Sequence, residues 1–154
     1  MPTWPETADT LKGDVMRDMH RPAETAPSDP TAITGVTAKM LGLAVAFTPL
    51  RTGRILVITK GNITCDTTAK LTTVRLRYGT GTAPANDAAS TGTAAGIAST
   101  FTALTGMVTV PFADAALISG LTIGTAYWLD YSAVTDDAGA AGRVLGLNMV
   151  VTEI

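Results

Sequence analysis

The sequence predicts an all-β protein, a β-sandwich or jelly-roll-like domain with an extended N-terminal arm. From Thr31 onward, strand-like runs recur at regular intervals and are separated by Gly, Pro, Asn and Asp residues, which is the pattern of short strands joined by turns. No convincing amphipathic helix lies between these runs, which argues against an α/β fold. A chain of 154 residues is long enough for one domain with a proper core. We therefore divide it into an arm, residues 1–30, and a sandwich, residues 31–154.

The N-terminal arm differs in composition from the rest of the chain. It holds five of the eight prolines and nine charged residues, six of them acidic and three basic. Because proline at this density opposes both strand pairing and long helices, we expect the arm to lie outside the sandwich.

A short helix is predicted inside this arm. Thr3 and Glu6, with Pro5 between them, have the spacing of a capping box, and apolar residues then recur every four positions. A helix this short and narrow does not persist alone in water, so it requires a surface to dock on. We interpret the arm as a strap between subunits; the alternative is a frayed terminus. The interface residues predicted here are Trp4, Leu11, Val15 and Met19.

Eight strands are predicted in the sandwich. The alternation is clearest at positions 74–78, where Val74, Leu76 and Tyr78 share one face and two arginines share the other. The predicted strands lie near residues 32–38, 41–48, 53–63, 70–78, 99–104, 107–113, 126–134 and 143–153.

The segment that leads into the seventh strand has the spacing of a tyrosine corner. Leu121 anchors the crossover in the core, Gly124 takes the tight bend, and Tyr127 returns its hydroxyl to the backbone that it has just left. The segment resembles the corner of fibronectin type III and immunoglobulin-like sandwiches. The alternation that follows places Trp128 and Asp130 on the outward face of the strand.

The longest irregular stretch is residues 79–98. A loop of this length in a compact domain is usually functional or disordered, and its residues are small and uncharged apart from Asp87. We expect it to pack closely against a partner, with Pro84 and Asn86 in the interface. Trp128 is also predicted to lie in a subunit interface; the alternative is that it stacks on a sugar ring.

Few residues offer chemistry. The only histidine, His20, lies in the arm, and with a single cysteine the chain has two potential zinc ligands where about four are needed. Cys65 is predicted to be a buried hydrophobe. Asp136 and Asp137 are interpreted as a solvated turn rather than a Ca²⁺ site. We therefore expect no catalytic residue, no cofactor and no metal, and a protein that is not an enzyme.

The charge and hydrophobicity of the chain exclude some classes of partner. A net charge of −2 and a pI near 5.2 leave no basic face for nucleic acid. No run approaches the length of about 20 apolar residues that a membrane span requires, so we expect no membrane association. Charged residues are only 16% of a chain that is 46% hydrophobic. Part of the surface is therefore expected to be buried in an oligomer.

Three segments together resemble a group of small bacteriophage virion proteins: RYGTGTAPAN (77–86), VTVPF (108–112) and ISGLTIGTAYW (118–128). The resemblance covers residues 50–154. It implies an exterior head or tail component, above all a decoration (cement) protein that sits as a homotrimer on the major capsid protein lattice, on the capsid exterior, after synthesis in the host cytoplasm. The group has no catalytic residues to transfer to this chain.

Other interpretations stay open at this point. One is a spike or fibre component of a phage head or tail. Another is a carbohydrate-binding host-recognition module that uses Trp128, Tyr131 and loop 79–98. A third is a glycosidase that uses Asp130 with one of the two turn aspartates, held about 5–10 Å apart across a cleft.

Overall fold

The computed structural model describes residues 23–106 and 108–154. These residues form eleven β-strands and no helix, so within them nothing has the length and hydrophobicity of a helical membrane span. The strands are β1 (Ala23–Thr25), β2 (Ile33–Thr34), β3 (Lys39–Met40), β4 (Val45–Phe47), β5 (Ile55–Cys65), β6 (Leu71–Thr80), β7 (Thr93–Ala94), β8 (Ser99–Thr102), β9 (Thr109–Ile118), β10 (Tyr127–Thr135) and β11 (Ala141–Glu153).

The strands form two antiparallel sheets. In sheet A the order is β1–β11–β5–β9, and β2 pairs with another part of β11. In sheet B the order is β3–β10–β6–β7, with β4 also on β10 and β8 also on β6. Successive long strands, such as β5 and β6, lie in different sheets, so the chain crosses repeatedly between the two layers. The all-β sandwich predicted from the sequence is confirmed.

The core lies between the sheets, where alternate residues of the long strands point inward. Val57 and Met149 of sheet A and Leu76 and Leu129 of sheet B are at most 1% exposed. Cys65 belongs to the same core and is a buried free thiol, as predicted.

Tyr131 connects the two sheets inside this core. Its hydroxyl lies 2.6 Å from Thr59 Oγ1 of β5, and its ring meets Phe112 of β9 edge-on, with centroids 5.9 Å apart. Burial raises the pKa of the Tyr131 hydroxyl, so the group stays protonated at neutral pH and keeps its hydrogen bond. An edge-on ring pair adds about 1 kcal/mol to the burial of the two rings.

The tyrosine corner joins β9 of sheet A to β10 of sheet B. Tyr127 Oη accepts a hydrogen bond from Thr122 N at 2.9 Å, Leu121 is buried, and Gly124 has a φ of +78°. The left-handed backbone at Gly124 explains the glycine, because side chains with a Cβ are disfavoured there. The backbone N–H of Gly124 also donates to Pro49 O at 2.8 Å, which ties the corner to the loop before β5.

Residues 23–25 correct the predicted extent of the arm. β1 pairs with the edge of β11, with Ala23 opposite Val151 and Thr25 opposite Met149. The stretch between Pro22 and Pro27 contains no proline, and it is long enough for a three-residue edge strand. The predicted helix, with Trp4, Leu11, Val15 and Met19, falls outside the described residues.

Strand boundaries differ from the predictions mainly before β5 and in β9. The predicted strands at 32–38 and 41–48 contain only the short β2 and β4. Positive φ angles break the extended backbone at Gly35 in the first range and at Gly42 and Ala44 in the second. Strand β9 continues to Ile118, five residues beyond the predicted end. Alanines and one aspartate in β9 have low strand propensity, so the alternation is hard to recognise from sequence.

Candidate functional site

Each sheet has an outer face, and the two outer faces differ. On sheet B the outward residues of β10 are Trp128, Asp130 and Ser132, as the alternation predicts, and Met40 pairs opposite Ser132. All four side chains are buried. We call this surface the covered face.

Loop 81–98 covers this face. Its end forms β7, which pairs with β6, while its middle bonds to the opposite edge of the sheet: Met40 N donates to Ala88 O at 2.9 Å and Asp87 N donates to Met40 O at 2.9 Å. Because β7 and β3 lie at opposite edges of sheet B, the intervening residues must cross its outer face. The loop thus packs on its own sheet, which was not expected from the sequence.

Trp128 lies beneath this loop and is only 6% exposed. Its Nε1 donates to Thr80 O at 3.2 Å. A Cβ atom on Gly79 or on Gly92 would collide with the indole ring, so the small residues of this segment allow the backbone to approach the ring closely. The side chain points outward from the sheet, as the alternation predicts, but the chain itself covers it.

Asp130 lies on the same face, fully buried. Its carboxylate accepts hydrogen bonds from Gly42 N at 3.0 Å, Leu43 N at 3.0 Å and Tyr131 N at 2.7 Å. Burial raises the pKa of Asp130 to about 6, and the three backbone N–H groups oppose that rise. The arrangement holds the turn between β3 and β4 in place.

The other carboxylates near the strand ends hold backbone in the same way. Asp136 Oδ1 accepts from Leu71 N at 2.8 Å, and Asp137 pairs with Lys70 at 2.9 Å. The hydrogen bond and charge of Lys70 lower the pKa of Asp137. Asp130 is enclosed under the loop, whereas Asp136 and Asp137 lie at a turn. Asp130 therefore does not face either turn aspartate across a cleft. Across residues 23–106 and 108–154, no three His, Cys, Asp or Glu side chains converge on a metal position.

Glu153, at the end of β11, binds the backbone of the loop before β5. Its carboxylate accepts hydrogen bonds from Leu50 N, Arg51 N, Thr52 N and Gly53 N, at distances of 2.6–3.2 Å. Desolvation raises the pKa of Glu153, but the four N–H groups outweigh it and lower the pKa to about 2. The carboxylate is therefore ionised throughout the neutral range.

Two predicted interface residues lie in the covering loop. Pro84 and Asn86 are half-buried, and Asn86 Nδ2 donates to Thr31 O at 3.2 Å. The loop backbone at Asn86 lies against Gly42, where a Cβ would collide with it. Pro84 and Asn86 thus lie in the covering loop, and part of their surface is buried within the chain.

The outer face of sheet A is open instead. One row across the sheet contains Glu24, Val150, Ile58 and Ala115, from β1 to β9. Ile58 is 48% exposed and Leu117, in the adjoining row, is 56% exposed. No described segment crosses this surface. The open face consists of Leu56, Ile58, Ala113, Ala115, Leu117 and Val150, with Glu24, Lys60 and Asn148 beside them.

A shallow groove of about 390 Å³ runs over this face, between β1, β11, β5 and β9. At the far end of the same sheet the outward residues are polar, including Thr64, Thr109 and Arg143. Arg143 Nη1 donates to Pro30 O at 3.3 Å. The apolar half of the outer face is therefore the half where β1 begins.

The residues of the open face were not predicted as a site, although the sequence of β5 carries a signal for them. The start of β5 has the sequence Ile55-Leu56-Val57-Ile58, an unbroken apolar run. A strand with one solvent-exposed face would instead alternate apolar and polar residues. Such a run indicates apolar residues on both faces of the strand. Leu117 gave no signal, because the predicted strand ended before it.

Comparison with known proteins gives weak similarity only. No protein-family model matches the chain, and no curated protein matches it. Solved structures of infectious bursal disease virus are similar: the Gx strain with a TM-score of 0.29 and 11% identity over 86% of this chain and 39% of that chain, and the Gt strain with a TM-score of 0.30 and 16% identity over 87% and 40%. The chain thus spans about two fifths of the length of those chains.

Proposed function

We propose that this protein is a non-enzymatic virion structural protein, a decoration (cement) protein that binds the outside of a bacteriophage capsid and stabilises the shell. The observation that carries the proposal is the open face of sheet A, beside the point where residues 1–22 join β1. This face and the N-terminal segment together form the attachment region. The major capsid protein lattice is the partner, and the protein acts as a homotrimer.

The open face supports a protein partner. Exposed apolar residues that form a continuous patch mark interaction surfaces, whereas scattered ones do not. Ile58 of β5 and Leu117 of β9 form such a patch together with Ala113 and Ala115 of β9. The patch carries little charge, which suits contact with protein better than contact with nucleic acid.

A rigid body suits a mechanical role. The corner at Tyr127, the carboxylate of Glu153 and the inter-sheet bond of Tyr131 lock the strand ends and the layers. A linked trimer that makes several weak contacts with a lattice gains affinity steeply over a single copy. The resemblance of residues 50–154 to small phage virion proteins favours the same role.

The residues that the two alternative functions require are buried in this fold. A sugar-binding module would need an exposed ring at Trp128, but that ring lies under the chain's own loop. A glycosidase would need Asp130 in a cleft, but Asp130 is fully enclosed and accepts three backbone N–H groups. Neither residue is available to a ligand in this conformation.

The test is co-sedimentation of the full chain with undecorated capsid shells. We expect saturable binding by the wild-type protein and a loss of at least about tenfold in affinity for Ile58→Lys, because a charge on the open face must be desolvated in the contact. Val36→Lys is the matched control, since Val36 is 62% exposed in the turn after β2, away from the open face.

Two outcomes would contradict the proposal. One is a wild-type chain that does not bind shells, and the other is equal binding by both lysine variants. A deletion of residues 1–22, which leaves β1 intact, is expected to give a folded sandwich with reduced shell binding. Sedimentation equilibrium of the free protein tests the trimer.

A further inference from the structure

We propose that an extended segment of a partner protein adds to sheet A as a further strand, along the side of β9 that faces away from β5. We call residues 113–117 on that side the free edge. The segment carries a lysine or an arginine that meets Asp114. The inference rests on the proposed function, because the partner that it describes is the capsid protein. An added strand lies beside β9 in the plane of the sheet, about 5 Å away, so it leaves the open face uncovered.

The first argument is that one side of β9 has no strand partner among the described residues. β9 lies at the end of sheet A and pairs there with β5 alone. The register pairs Thr64 with Thr109, and one position further Cys65 N donates to Val108 O at 3.0 Å. Hydrogen-bonded and non-hydrogen-bonded pairs alternate along an antiparallel ladder. Residues at even positions of β9 therefore bond to β5, and residues at odd positions point their N–H and C=O groups away from it.

The position of the proline in β9 agrees with this assignment. Pro111 lies at an odd position, where its missing N–H costs no bond to β5. Ala113, Ala115 and Leu117 follow at the next odd positions, and each presents one N–H donor and one C=O acceptor along the free edge. Strand addition uses this kind of row, because main-chain hydrogen bonds provide affinity and alternate side chains provide specificity.

The second argument is an unpaired charge on the inner side of the free edge. Asp114 has the parity of Phe112 and Ala116, which pack in the core, so its side chain points inward. Asp114 is half-buried and forms no ion pair with another described residue. Arg75 contacts the neighbouring loop, but it donates to Gly96 O at 3.4 Å and not to this carboxylate. Opposite charges on adjacent strands stabilise each other, which favours a lysine or an arginine in the occupant.

The third argument is an apolar side chain near the same carboxylate. Gly96 lies against Asp114 and Ala116, since a Cβ on this glycine would lie 3.3 Å from Asp114 Oδ2 and 3.2 Å from Ala116 Cβ. The next residue, Ile97, is 73% exposed. An added strand beside Ala116 therefore also meets an exposed apolar side chain. This favours an apolar residue two positions from the cation, on the same face of the added strand.

A second copy of this chain fits the free edge less well than a cationic partner. When two β9 strands pair antiparallel through Ala113 and Ala115, the two Asp114 carboxylates lie opposite each other or diagonally across the pair, on one face. Like charges in those positions are destabilising, and inward charges on edge strands oppose self-pairing for this reason. The pair is also two-fold, and a two-fold contact does not close a trimer.

Binding of full-chain variants to undecorated capsid shells tests the free edge. Ala115→Pro removes an N–H of the free edge while leaving the bonds to β5. Ala115→Val changes the side chain by a similar volume and keeps the N–H. We expect Ala115→Pro to bind at least about tenfold more weakly than Ala115→Val, because a carbonyl oxygen of the partner loses its donor. Circular dichroism checks that both variants fold.

Substitutions of Asp114 test the charge of the occupant. We expect the affinity for shells to decrease from wild type to Asp114→Asn and further to Asp114→Lys, with at least about tenfold between wild type and Asp114→Lys. Equal binding by wild type and Asp114→Lys would overturn the assignment of a cationic occupant.

Hydrogen exchange at single amides gives an independent measurement on the wild-type chain. In the free protein, the amides of Ala113, Ala115 and Leu117 should exchange faster than those of Asp114 and Ala116, which bond to β5. On shells, the amides of the free edge should slow by at least about tenfold.

The outcomes separate this inference from the proposed function. If the wild-type chain binds shells with no change at the free-edge amides, or if Ala115→Pro and Ala115→Val bind equally, strand addition is overturned and capsid attachment stands. A wild-type chain that does not bind shells contradicts the proposed function as well. Free-edge amides that are already slow in the free protein assign the edge to a second copy or to the same chain, and overturn the partner; sedimentation of that sample distinguishes the two.

Discussion

The two outer sheet faces of this sandwich differ in how far their outward apolar side chains are exposed to solvent. On sheet B, Trp128 points away from the core and is nevertheless 6% exposed, because loop 81–98 crosses over it. On sheet A, Ile58 points away from the core and remains 48% exposed. The direction of a side chain on a strand and its burial are therefore separate quantities. A segment distant in sequence decides the second.

The largest expected effect comes from removing the ring under the loop. Trp128→Ala leaves a cavity between loop 81–98 and sheet B and removes the bond from Nε1 to Thr80 O. We expect the free energy of unfolding to fall by about 3–5 kcal/mol. Urea unfolding followed by circular dichroism measures it. A loss below about 1 kcal/mol would mean that the loop does not seal this face.

The covered face should also give the protein a pH-dependent stability. Asp130 has a pKa raised to about 6 by burial, so its protonated form is favoured in the folded state. The stability that it contributes is fully present below the unfolded pKa, near pH 4, and is lost as the pH rises through about 6. We expect a decrease of up to about 3 kcal/mol between pH 4 and pH 7.

Asp130→Asn is the control for this pH effect. The variant should lack the decrease between pH 4 and pH 7, whatever its absolute stability. Glu153 acts in the opposite sense, because its pKa is lowered to about 2: its contribution is present above pH 4.5 and is lost as the pH falls through about 2. If Asp130→Asn kept the wild-type pH dependence of the free energy of unfolding, a group other than Asp130 would be responsible for it.

The corner that links the two sheets offers a smaller effect. Tyr127→Phe removes the acceptor for Thr122 N while keeping the ring. We expect a loss of about 1 kcal/mol in the free energy of unfolding, the usual value for one hydrogen bond. A change within experimental error would show that solvent replaces this bond at no cost, and that the corner does not restrain the crossover.

The smallest effect is expected on the open face. Ile58→Ser exchanges a half-exposed apolar side chain for a polar one, so the free energy of unfolding should change by less than about 1 kcal/mol. Shell binding, in contrast, should decrease. The pair Trp128→Ala and Ile58→Ser thus separates stability from attachment. Equal destabilisation by both variants would remove the distinction between the two faces.

Several elements could be predicted because their signals are local. The turns and alternating runs of β5, β6, β10 and β11 identified four of the five long strands, and the fifth, β9, was predicted in part. The spacing of Leu121, Gly124 and Tyr127 pointed to the bond that Tyr127 makes five residues back. The short strands β1, β3 and β7 were missed, since two or three residues carry too little pattern and only pairing with a longer neighbour makes them strands.

Three properties followed from the sequence alone: the all-β class, the buried Cys65 and the parity that points Trp128 and Asp130 away from the core. These properties depend on neighbours within a few positions, because strand alternation and turn geometry are local. The sequence did not predict that loop 81–98 covers the outer face of sheet B or that the outer face of sheet A stays open; both depend on how distant segments pack. The physical reason is distance along the chain: Trp128 is buried by Gly92 and Asp130 is satisfied by Gly42 and Leu43. No local pattern encodes contacts between residues so far apart in the sequence.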